Sequence, residues 1–111
     1  MDLPACQRAV ADFVDQRRLT DRVESRILDL LSEVGELAKE DLLSTQYGQE
    51  PFQPNEAWRD EMGDVVFSLI CLANITGVDL SSALAAALTK YKERAMSSGA
   101  IDSGHNRGRR I

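Results

Sequence analysis

Four acidic residues stand in two pairs of equal spacing, Glu33 with Glu36 and Glu61 with Asp64. In a helix, side chains three apart leave one face about a turn from each other, so each pair would present two neighbouring carboxylates. Glu40 prolongs the first row, four residues after Glu36. Like charges so placed repel by roughly a few tenths of a kcal/mol in a solvated helix, which an exposed surface tolerates easily. If the two helices packed antiparallel, four carboxylates would converge in one cleft, a costly arrangement without cations. An all-oxygen set of this kind suits the hard ions Mg²⁺ or Mn²⁺. Mg²⁺ keeps several waters and shares substrate phosphates, so the matching chemistry is phosphoryl or nucleotidyl transfer to water. Spacing alone leaves a second reading open, because 28% of the chain is charged and the pairs would also serve as wet faces of amphipathic helices. Gly35 and Gly63 favour the cleft: each lies between the acids of its own pair. A helix-interior glycine costs roughly 0.5–1 kcal/mol relative to alanine, so matching glycines point to close helix approach or to access for a ligand.

The elements that would hold these acids are helical. Val23, Ile27, Leu30, Leu31, Val34, Leu37 and Ala38 recur at steps of three and four. No proline interrupts residues 5–50, which predicts a first helix over about 5–18 and a second over about 21–43, with Thr20 and Asp21 as the cap between them. Glu24 then falls near the positive helix end. Gly48, Pro51 and Pro54 break the pattern, so 44–55 reads as a loop of functional length. Asn55 is placed to cap a third helix over about 56–76, whose apolar positions (Trp58, Met62, Val65, Val66, Leu69, Ile70) surround most of its circumference and mark it as the buried centre. Gly77 ends it, and Asp79 begins a fourth helix over about 80–96. The reading is all-α: a four-to-five-helix, bundle-like domain over 1–96 followed by a glycine- and arginine-containing tail over 97–111.

Composition narrows the function. The chain has 111 residues and a formal charge of −5, enough for one domain. Arg107, Arg109 and Arg110 outweigh Asp102 in the tail, so the remaining residues carry a net charge of −7, which duplex nucleic acid would repel. No apolar run reaches the roughly 18–20 residues that cross a bilayer, and the first twenty residues lack the apolar stretch of a signal peptide. Cys6 and Cys71 form neither a ligand-spaced pair nor a disulfide framework, which places the chain in a reducing cytoplasm. Cys71 reads as a small core residue and His105, in the tail, as solvated. The small-residue run Ala83, Ala85, Ala86, Ala87 and the all-round apolar third helix call for a homo-oligomer.

The segments SEVGELAKE at 32–40 and DEMGDVVFSLICLA at 60–73 resemble the two halves of the MazG-like nucleotide pyrophosphohydrolases, of the all-α NTP pyrophosphatase superfamily. The likeness continues through GVDL at 77–80 and KYKER at 90–94, covering about residues 20–95. It implies hydrolysis of a (deoxy)nucleoside triphosphate to monophosphate and pyrophosphate, a housecleaning of the nucleotide pool, by a dimer or dimer of dimers. Carried over, Glu33, Glu36, Glu61 and Asp64 would hold Mg²⁺, or Mn²⁺ in its place. Glu36 or Glu40 would accept a proton from the attacking water. Lys90 and Arg94, four apart on the fourth helix, are candidates for phosphate contact, and Trp58 or Phe13 for stacking on a base. The chain departs from the family pattern at Thr89, where many relatives have asparagine, and at Ser32, where many have a second acid. The competing expectation is a non-catalytic helical interaction module with solvated acidic faces.

Overall fold

The computed structural model describes residues 1–98, and all its regular structure is helical: α1 (Leu3–Arg17), α2 (Val23–Ser44), α3 (Glu56–Ile75) and α4 (Leu80–Ser98). The tail residues His105, Arg107, Arg109 and Arg110 lie outside the described residues. Each helix starts and stops for local reasons. Asp2 caps α1 by accepting from the backbone N–H of Ala5 at 2.9 Å, and Pro4 fits the first turn, where no intrahelical donor is needed. Arg18 ends α1 in the left-handed region at φ 55°.

The start of α2 differs from expectation. Arg22, not Thr20 or Asp21, is the N-cap, without a side-chain capping bond. The Thr20 hydroxyl instead accepts from the N–H of Arg22 at 3.2 Å, two residues on, and so shapes the link rather than the helix end. After Ser44, Gln46, Tyr47 and Gly48 are all left-handed, and the buried Thr45 closes this turn by accepting from the N–H of Gly48 at 3.1 Å. Asn55 caps α3 as expected, its Oδ1 accepting from Trp58 N at 2.9 Å. Asn55→Ala should therefore cost about 1 kcal/mol of stability, read as a lower urea midpoint with an unchanged slope. Gly77, at φ +71°, turns the chain out of α3 where a side chain would be strained.

Residues 1–78 make one compact unit in which α3 packs against both α2 and α1. Gln7 and Asn74 tie α1 to α3 by two bonds: Gln7 Nε2 donates to Asn74 Oδ1 at 2.9 Å, and Asn74 Nδ2 donates to the Gln7 carbonyl at 3.0 Å. Phe13 meets Phe67 edge to face at 6.1 Å between centroids. The buried part of α3 is its C-terminal half (Ser68, Ile70, Cys71, Ala73), so the expected burial of this helix holds there and not along its N-terminal half. A second unit begins at Asp79, whose Oδ1 accepts from Ser81 N at 3.1 Å at the start of α4.

The face of α2 turned toward the core is not the apolar stripe seen in the sequence. Arg26 is buried, and Leu30, Glu33, Leu37 and Glu40 are partly buried, at steps of three and four. Ile27, Leu31 and Val34 are exposed, Leu31 by 66%. A parallel stripe on α3 (Met62, Val66, Leu69) is exposed too, Val66 by 49%.

Candidate functional site

The inward face of α2 sets Glu33 against the first half of α3. One carboxylate oxygen from each of Glu33, Glu61 and Asp64 lies within 4.8 Å of the others. Two turns away, Arg26 and Cys71 share the lining of one cavity, so the two helices run antiparallel, with Glu33 opposite Asp64 and Arg26 opposite Cys71.

The electrostatics show what this convergence costs. Glu33 is held above the usual carboxylate range, first by loss of water on its packed side, then by the charges of Asp64, Asp29 and Glu36. Glu61 is raised by desolvation, then by a hydrogen bond with Asp64 and the charges of Asp64, Glu36 and Glu33. Desolvation and like charge are both penalties on the ionised carboxylates, and a bound cation would relieve them. The donor set is all oxygen and carries excess negative charge at close range, and it fits a hard divalent ion, the two Mg²⁺-type preferences together.

Because both groups bind protons more tightly folded than unfolded, their contribution has a definite sign. Between the ordinary value of 4.5 and the raised value, the folded chain carries more protons than the unfolded one. Their penalty is absent below 4.5, grows as pH rises through that window, and is full above it. In chelator, a Glu33→Gln/Glu61→Gln chain should lose less stability than the wild type as pH is raised across this window, read by urea midpoints.

Glu36 stands outside the group of three. With Glu33 and Leu37 facing α3, a residue three along from Glu33 sits about 60° round the helix, at the side of the seam. It is exposed, yet its charge reaches both Glu33 and Glu61. Glu40 returns to the inward side, two turns beyond Glu33, and is partly buried. Trp58 is half-buried and meets Phe52 of the preceding loop edge to face at 4.8 Å, while Phe13 already has Phe67 and, at 5.3 Å, the Arg17 guanidinium. On α4, Lys90 Nζ and the Arg94 guanidinium lie 5.1 and 5.7 Å from the ring centre of Tyr91.

A Cβ added at Gly35 or Gly63 would meet nothing within 4 Å. Close helix approach within the chain is therefore not their purpose, and the space beside the acids remains. Gly63→Ala should stabilise the metal-free chain by up to about 1 kcal/mol through helix propensity. A concurrent rise in KM for a nucleotide substrate would show that the space is used.

Sequence reasoning missed Arg26 and Asp29. Arg26 is only 4% exposed; its Nε donates to the Thr20 carbonyl at 3.1 Å and its Nη1 to Asp29 Oδ2 at 3.3 Å. The available signal was register: Arg26 precedes Leu30 by four residues and Glu33 by seven, on the row of the acids rather than of the aliphatics.

An antiparallel pair of helices bearing E-x-x-E and E-x-x-D in an all-α chain is the arrangement that the family resemblance implies, and comparison with known proteins agrees on the family. Residues 22–97 match the MazG nucleotide pyrophosphohydrolase domain, and the chain belongs to that family. It is 37% identical over 68 residues, 59% of its own length, to the uncharacterized protein YpjD of Bacillus subtilis (strain 168), and spans 60% of that protein. No solved structure gives a significant match.

Proposed function

We propose that the protein hydrolyses (deoxy)nucleoside triphosphates to monophosphate and pyrophosphate in the presence of Mg²⁺, with Mn²⁺ able to replace it. The observation that carries this reading is the approach of Glu33, Glu61 and Asp64 to within 4.8 Å. These three, with Glu36 from the side of the seam, would hold the ion. When bound, the dication neutralises the triphosphate and lowers the pKa of a coordinated water. In the reaction a water oxygen forms a bond to the α-phosphorus while the bond to the bridging oxygen breaks and pyrophosphate leaves. Glu36 or Glu40 takes the water's proton; the partly buried Glu40 lies on the same side of α2 as Glu33. Lys90 and Arg94 are the phosphate contacts carried over from the family resemblance, and the base has two candidate places, Trp58 before the acids on α3 and the Arg26 end of the same seam beyond them.

The exposed stripes Ile27, Leu31, Val34 and Met62, Val66, Leu69 support a homo-oligomer, dimer or dimer of dimers, because contiguous apolar surface of this kind marks an interface. Sedimentation of a stable 12.3 kDa species would count against it. Among the described residues no single helix is long and apolar enough to cross a membrane, and both cysteines are free, which supports a cytoplasmic setting. Nucleic acid is not expected as a partner of a chain with net charge −5.

The experiment is a panel of triphosphates with Mg²⁺, read by pyrophosphate release. Turnover of at least one triphosphate that stops in chelator is expected. A folded protein that turns over none would leave the non-catalytic helical module as the better reading.

A further inference from the structure

Two turns from the acids along the same seam lies a cavity of about 270 Å³. Arg26 is seven residues from Glu33 and Cys71 seven from Asp64, which puts the cavity wall roughly 10 Å from the three carboxylates. Its apolar sides come from Val14, Leu19 and Ile75, and its rim carries the exposed Asp15 and Asp21. The buried guanidinium of Arg26 lines it, and Nη2 has no acceptor among the described residues. No buried side-chain donor among the described residues lacks a partner, so this N–H is open to the cavity, where water or the acceptor of an entering ligand can reach it.

The charge of the lining decides what that acceptor belongs to. Arg18 and Arg26 are balanced by Asp15 and Asp21, and Asp29 is already paired with Arg26. The lining has no net positive charge to hold a phosphate or carboxylate. It suits a neutral ring with apolar faces, an acceptor on one edge for the guanidinium and a donor beside it for a rim carboxylate. A nucleotide whose phosphates sit at the acids would bring such a ring about one nucleoside length away.

We infer that this cavity takes the nucleobase and that Arg26 selects bases with a keto oxygen beside a ring N–H. The inference rests on the hydrolase reading above and names its substrate class. Guanine, hypoxanthine, uracil and thymine give the oxygen to Arg26 Nη2 and the N–H to Asp15 or Asp21. Adenine and cytosine present an amino group beside an unprotonated ring nitrogen, which sets donor against donor at Arg26 and acceptor against carboxylate at the rim. Arg26 here is a specificity-determining residue, not a catalytic one.

The test compares kcat/KM for dGTP, dITP, dUTP and dTTP with that for dATP and dCTP in the full chain. At least a tenfold preference for the first group is expected. It should fall to within about threefold in Arg26→Met and, because removal of a buried arginine endangers folding, also in the exposed-rim variant Asp15→Asn/Asp21→Asn. In parallel, titration of the metal-free protein with guanosine should shift the Arg26 Nε–H resonance, and adenosine should not. Hydrolysis at equal efficiency across all bases, or preference for adenine or cytosine, overturns this inference and leaves the hydrolase reading intact. If no triphosphate is hydrolysed the hydrolase reading fails instead, and an Arg26 resonance unmoved by guanosine removes the base site independently.

Discussion

Asp64→Asn is expected to keep the helical content of the wild type and to lose about a hundredfold or more in turnover. The substitution is nearly isosteric, so packing along the α2–α3 seam should survive. What it removes is one charge from a group of three oxygens within 4.8 Å. Without a cation that removal is favourable, since the Asp64 charge is one of the causes that lift both Glu33 and Glu61. The metal-free variant should therefore melt no lower than the wild type while its activity disappears. Circular dichroism, thermal melting and pyrophosphate release together check this. A variant that stays active would remove Asp64 from the site; one that unfolds would give it a structural role instead.

Mg²⁺ should stabilise the folded chain strongly. A ligand bound only by the folded state contributes about 2.7 kcal/mol at a hundredfold excess over its Kd. For a domain of this size, each kcal/mol moves Tm by roughly 4–8 °C, so a rise of about 10 °C or more is expected at saturating Mg²⁺. The shift should grow as pH rises through the raised values of Glu33 and Glu61, because an ion binds their ionised forms in competition with protons. It should vanish in Glu33→Gln/Glu61→Gln. An equal shift in that double variant would mean the ion binds elsewhere.

The elements and their caps were legible in advance because they follow from local chemistry. The 3.6-residue period, the proline- and glycine-containing loop and the Asn55 cap need no knowledge of the rest of the chain. The start of α2 was not legible. Thr20, Asp21 and Arg22 are all near enough to cap, and Thr20 is diverted into the link by its bond to the Arg22 N–H. The burial of helices was half legible. Apolar periodicity marks a face that avoids water but not which surface covers it. On α2 that stripe remains exposed in the single chain, while the row through Arg26 and Glu33 meets α3.

The acids show the same division. Their residue types and i, i+3 spacing, read from the chain alone, single out the candidate donors and the class of ion they would suit, since carboxylate chemistry and helix geometry are local properties. Which of them meet depended on how α2 rotates against α3. That rotation brings Glu33 to Glu61 and Asp64 and sets Glu36 to the side. It also buries Arg26 beside a cavity that no motif announced. Helix rotation is chosen by packing between residues dozens of positions apart, and so it belongs to the folded molecule rather than to any stretch of its sequence.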